Sequence, residues 1–179
     1  MMGSKKISLV LLLSNLCIIS SEPRWITNIF RNQTQEALLI TRCMDECRTI
    51  YCKAECLGYE GQAKCYSSFC TSATRGENSK SLCDGPKCKS MCFEKNCTSK
   101  CLGGLCHTEC HGSECRSNCY GGLCVSKSDG INCIAVCEGG TCFSNATGAN
   151  SVSKCTGGAC SADTNGDRSN VSVIVNLFL

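Results

Sequence analysis

Hydrophobic residues gather at the two ends of this chain and thin out between them. Ile7 to Ile19 is a nearly continuous apolar run. From Trp25 to Arg42 the apolar positions are Ile26, Ile29, Phe30, Ala37, Leu38 and Ile40, a spacing that predicts a moderately amphipathic helix. At the far end Val171, Val173, Val175, Leu177 and Leu179 recur every second residue, which predicts a strand. Between Cys43 and Arg168 large aliphatic residues are scarce, and small residues alternate with polar ones.

That middle stretch keeps a nine-residue register. With Cys43 as position 1, fourteen consecutive units run to Arg168 without insertion or deletion, and every cysteine falls at position 1 or 5. Position 3 is Ser, Ala or Thr in thirteen units, with Asp45 the exception. Position 7 is Gly in eleven, with Thr49, Ser67 and Glu94 the exceptions. Positions 1, 3 and 5 of a strand point the same way, so each unit predicts a short strand with a small-residue inner face. Gly at position 7 predicts a tight turn that needs φ > 0. Units of this kind stack into a solenoid.

A second period closes the coil. The pairs Cys47/Cys52, Cys65/Cys70, Cys83/Cys88, Cys101/Cys106, Cys119/Cys124, Cys137/Cys142 and Cys155/Cys160 recur every 18 residues. Every vacant cysteine position (Gly61, Thr74, Ser79, Ser128, Ala146, Ser151 and Thr164) lies on the complementary edge. The Gly-Gly pairs beginning at Gly103, Gly121, Gly139 and Gly157 fall on the intact edge. The expected fold is therefore all-β: a disulfide-stapled, two-sided β-solenoid of seven 18-residue coils, with a short N-terminal capping helix. Seven coils would stack to roughly 34 Å at the ~4.8 Å strand spacing.

Cysteine content sets the compartment. The chain holds 22 cysteines in 179 residues, a density that signals a disulfide scaffold in a short exported chain. Lys5 and Lys6 before the apolar run, and Ser20 and Ser21 after it, read as a secretory signal peptide over 1–21. Cleavage there removes Cys17 and leaves 22 − 1 = 21 cysteines. The expected domains are the signal peptide (1–21), a helical cap (22–42), the Cys-rich solenoid (43–168) and an apolar capping strand or tail (169–179). A GPI signal is the competing reading of that tail. Its apolar run is under ten residues and lacks a polar spacer, and membrane attachment would follow only from it.

The Cys-x4-Cys spacing predicts seven bridges along one edge, with Cys92/Cys97 and Cys110/Cys115 as further pairs on the other. Cys43 with Cys56 is an additional pairing, and Cys133 is then the odd thiol, able to link two chains. Bridging between stacked coils is also open on spacing alone.

Other chemistry is thin. No Cys-x-x-Cys occurs, which argues against zinc-thiolate sites. His107 and His111 read as a solvated pair rather than part of a catalytic triad. Asp163-Thr-Asn165-Gly-Asp167 lacks the Gly and the twelfth-position Glu of a calcium loop. No cofactor and no metal is expected. After signal cleavage Lys+Arg is 18 − 2 = 16 against 15 acidic residues, a balance that gives no electrostatic case for nucleic acid. Asn32, Asn145 and Asn170 head glycosylation sequons, as expected of a glycoprotein. Val125 with Phe143, and Ile134 and Val136 with Val152, form apolar columns that would suit a partner.

The core logic of small residues and cystines resembles the disulfide-stapled β-solenoids of beetle antifreeze proteins. The resemblance implies ice binding only where Thr-x-Thr fills positions 2 and 4. Here those positions read Lys89/Met91, Arg116/Asn118 and Ile134/Val136, so the array is missing. The expected function is a non-enzymatic, secreted structural scaffold, extracellular-matrix component or binding module, facing an extracellular protein or surface. A secreted defensive or host-interacting effector is the alternative; ice binding and metal-thiolate storage are lesser ones.

Overall fold

A computed structural model describes residues 43–175. The expected signal peptide (1–21), the expected helical cap (22–42), Asn32 and the last four residues of the tail lie outside the described residues.

The described chain is a parallel β-solenoid of about seven turns. Odd-numbered units supply β1 (Met44–Cys47), β3 (Gln62–Tyr66), β5 (Lys80–Asp84) and β7 (Thr98–Leu102). Even-numbered units supply β2 (Lys53–Leu57), β4 (Thr71–Arg75), β6 (Cys88–Phe93) and β8 (Leu105–His111). Then β9 (Arg116–Asp129), β10 (Ile134–Thr147) and β11 (Val152–Asn165) each run 14 residues through both units of a coil. β12 (Asn170–Val175) follows. The ladder order is β1-β3-β5-β7-β9-β8-β6-β4-β2, so the odd and even ladders meet through β9. Every pairing is parallel and offset by 18, as in Cys83↔Cys101 and Cys101↔Cys119.

The interior is narrow enough that serine hydroxyls bridge the two ladders. Ser126 Oγ donates to Ser117 Oγ at 2.9 Å, Ser117 Oγ to Thr108 Oγ1 at 2.6 Å, and Ser90 Oγ to Ser81 Oγ at 2.8 Å. These hydroxyls are buried, and each contact crosses nine residues, from one wall to the other. A buried hydroxyl left alone costs on the order of 1–3 kcal/mol, so the zigzag explains why serine outnumbers alanine at position 3. At the first coil Asp45 takes the same place, and its carboxylate accepts the Glu55 amide at 2.8 Å.

The corners depart from the expected glycine turn. Left-handed backbone sits at position 9, in Tyr51, Glu60, Phe69, Asn78, Lys87, Asn96, Glu114, Asn132, Asn150 and Arg168, with φ between 54° and 61°. Some position-7 glycines also have positive φ, such as Gly112 at 129°, but Gly121, Gly139 and Gly157 lie within strands. What position 7 needs is room. A Cβ on Gly139 would fall on the carbonyl oxygen of Gly121 in the coil beneath. The Gly-Gly pairs at 121, 139 and 157 are thus not tight turns. They let one strand continue around the corner.

β12 extends the register one strand further, with Val171 paired to Ser153 and Val173 to Cys155. Valines replace the small inward residues, and on this last strand Val171, Val173, Ile174 and Val175 all stay largely exposed.

Candidate functional site

The two edges are where cysteine chemistry concentrates. On the first, Cys47–Cys52, Cys65–Cys70, Cys83–Cys88, Cys101–Cys106, Cys119–Cys124, Cys137–Cys142 and Cys155–Cys160 are disulfide-bonded, with Cα separations of 5.6–6.1 Å. These sulfurs pack into one continuous buried column. Each bridge closes a corner, so the staple lies across the turn rather than between coils. Cys43–Cys56 and Cys92–Cys97 are also bonded.

Stacking does what the sequence spacing hid. The Sγ atoms of Cys47, Cys52, Cys65 and Cys70 lie within 4.8 Å of one another, although no Cys-x-x-Cys occurs. As disulfides they offer no thiolate to a metal.

The second edge differs from the expectation. Cys110 and Cys115 are not bridged; they remain buried thiols together with Cys133. The reason is a shared partner. Cys115 is hydrogen-bonded to Cys110 and also stands 3.3 Å, sulfur to sulfur, from Cys133. The hydrogen bond to Cys110, with burial, pushes the Cys115 thiol up to about 12, against the opposing contact with Cys133. Cys133 is raised as well, first by its hydrogen bond to Cys115 and then by burial. It is fully buried, with Sγ 3.0 Å from the Gly112 carbonyl, so a link to a second chain through it requires the corner to open.

Of the vacant cysteine positions, Thr74, Ser79, Ser128 and Ser151 carry hydroxyls that find partners. Ser79 Oγ donates to Gly58 O at 3.3 Å and Ser151 Oγ to Gly130 O at 3.0 Å. Ser128, which occupies the corner position opposite Cys133, donates to Ile134 O at 2.9 Å.

The outward faces carry ordered ladders. The expected apolar columns are in register, Val125 beside Phe143 and Ile134 beside Val152, with Val136 between Asn118 and Lys154. Phe143 is half exposed, beside a shallow cleft of about 210 Å³ shared with Val125, Lys127 and Asn145. β12 extends the ladder instead of crossing either column. Asn170 is exposed on β12, whereas the side-chain Oδ1 of Asn145 is buried without a hydrogen bond.

Two further ladders, unforeseen in the sequence, obey the same 18-residue spacing. Arg75 sits over Phe93 at 4.7 Å, and Phe93 stacks on His111 at 5.4 Å. His111 is 3.8 Å from Asp129, which accepts a 2.7 Å bond from Thr147. Tyr51 stacks on Phe69 at 4.8 Å, and Lys87 covers Phe69. Nor is His107 merely solvated. It meets Glu109 at 2.6 Å, and Lys89 of the preceding coil reaches the same carboxylate at 3.3 Å. Burial pushes Glu109 up, but the hydrogen bonds from His107 and Lys89 outweigh it and hold the carboxyl below its ordinary value.

Compared with known proteins, the chain matches no protein-family model, no curated protein and no solved structure.

Proposed function

We propose that this chain is exported and serves, without catalysis, as a durable extracellular scaffold or binding module. The observation that carries the reading is the unbroken column of seven corner disulfides. It fills one edge of an interior whose remainder is serine, alanine, threonine and the cysteines of the second edge. Such a core has little apolar area to stabilise it, so its strength depends on an oxidising compartment. Each small disulfide loop contributes on the order of 2 kcal/mol by restricting the unfolded chain.

The outer surface suits recognition rather than chemistry. Strands stacked in register repeat a side chain at each coil, and the Val125–Phe143 column is one apolar patch of that surface. An extended or regular partner matches such a ladder.

The test is expression of the full chain in eukaryotic cells. The reading predicts recovery from the medium, with an N-terminus near Glu22 and a strand-rich circular dichroism spectrum lost on reduction. Retention inside the cell as a reduced protein would overturn it.

A further inference from the structure

The second edge contains five sulfurs in one interior cluster: Cys92, Cys97, Cys110, Cys115 and Cys133. Cys92 and Cys97 are bonded, Cys97 Sγ is 3.4 Å from Cys110 Sγ, Cys110 is hydrogen-bonded to Cys115, and Cys115 Sγ is 3.3 Å from Cys133 Sγ. The odd member arises because Ser128 holds the corner position opposite Cys133. The first edge has equally close sulfurs between coils, for example Cys52 and Cys70 at 3.3 Å, but each of them is already bonded. Among the described residues, only the second edge combines a disulfide with adjacent thiols.

We propose that this edge is a thiol–disulfide exchange chain, in which one thiol migrates between Cys133, Cys110 and Cys92 while bridges within a corner convert to bridges between successive corners. Entry requires one oxidation. The Cys110 and Cys115 thiols give up two protons and two electrons to a small-molecule disulfide such as glutathione disulfide, which leaves as two thiols. The Cys110–Cys115 bond closes, and Cys133 is the remaining thiol.

Exchange then proceeds without net redox change. The Cys133 thiolate attacks Cys115 Sγ, the Cys110–Cys115 bond breaks, and Cys110 leaves and takes up the proton that Cys133 lost. Cys110 in turn attacks Cys97 Sγ, and Cys92 leaves. The end state joins Cys115 to Cys133 and Cys97 to Cys110. Each bond then joins one corner to the next, Cys115–Cys133 across two coils and Cys97–Cys110 within one, where before each corner was tied to itself. Attack needs a thiolate, so exchange in this buried cluster is slow at neutral pH and accelerates toward alkaline pH.

The experiment uses the full chain secreted from eukaryotic cells and oxidised with glutathione disulfide. It is held at pH 7 or pH 9, acid-quenched, denatured, alkylated and mapped. The expected result is one thiol per chain, divided among Cys133, Cys110 and Cys92, with the share away from Cys133 growing faster at pH 9. A single thiol at Cys133 at both pH values overturns the proposal, as do three thiols per chain after oxidation. Cys110→Ser provides an independent check, since it should yield a Cys115–Cys133 bridge; free thiols at both positions would refute the exchange.

Discussion

Cys133 Sγ lies 3.0 Å from the carbonyl of Gly112, the same relationship, 21 residues back, that Ser151 Oγ has with Gly130. Ser79 and Ser169 make the equivalent contact with Gly58 and Gly148. Cys133 thus occupies a position built for a hydroxyl. Cys133→Ser should leave stability within about 0.5 kcal/mol of the parent, measured as the urea midpoint without reductant. Cys133→Val removes the donor, leaves the Gly112 carbonyl without this partner and adds a methyl; it should cost at least about 1 kcal/mol.

Glycine at position 7 makes a sharper prediction because its surroundings differ from those of the position-8 glycine that follows it in these corners. A methyl on Gly139 meets the Gly121 carbonyl, whereas one on Gly104 meets nothing within 4 Å. Gly139→Ala should destabilise by more than about 3 kcal/mol or prevent secretion, because backbone must move in two coils. Gly104→Ala should change the midpoint by less than about 1 kcal/mol. Thermal melts of the two variants, without reductant, decide whether close stacking rather than turn geometry places these glycines.

The coils and their staples were legible in the sequence because both follow from a period that the residues display. Cys101, Cys106 and Ser99 are small, inward and strictly spaced, and the largest fully buried side chains of so thin an interior are Thr74, Thr108 and the cysteines. The left-handed corners were not legible. Tyr51, Phe69 and Lys87 are poor signals for positive φ, and there the stacked coils impose the conformation while the side chains gain contact with one another. β12 escaped the repeat because Val171 and Val173 replace the inward Ser and Cys, hiding a register that the backbone continues. Cys110 and Cys115 obey the spacing of a bridged pair. Their state depends on Cys133, 18 residues after Cys115 and recognisable only once the coils are stacked.

Acid should weaken the fold through Glu109. Its carboxyl is held below its ordinary value by His107 and Lys89 in spite of burial, so the unfolded chain binds a proton more readily than the folded one. The resulting stability is present above the unfolded carboxylate range, near about 4.3, and is lost as pH falls through the lower folded value. The parent should lose melting temperature between pH 6 and pH 3. Glu109→Gln should start lower and show a flatter profile over that window. An unchanged slope would mean that the contact with Lys89 and His107 contributes nothing to stability.

The central claim is that the interior of this solenoid is held by corner disulfides, and peptide mapping of the unreduced, secreted protein tests it most directly. The account predicts Cys47–Cys52, Cys65–Cys70, Cys83–Cys88, Cys101–Cys106, Cys119–Cys124, Cys137–Cys142 and Cys155–Cys160 as the recovered bridges. Recovery of these cysteines as thiolates carrying zinc, with Cys47, Cys52, Cys65 and Cys70 around one ion, would contradict it.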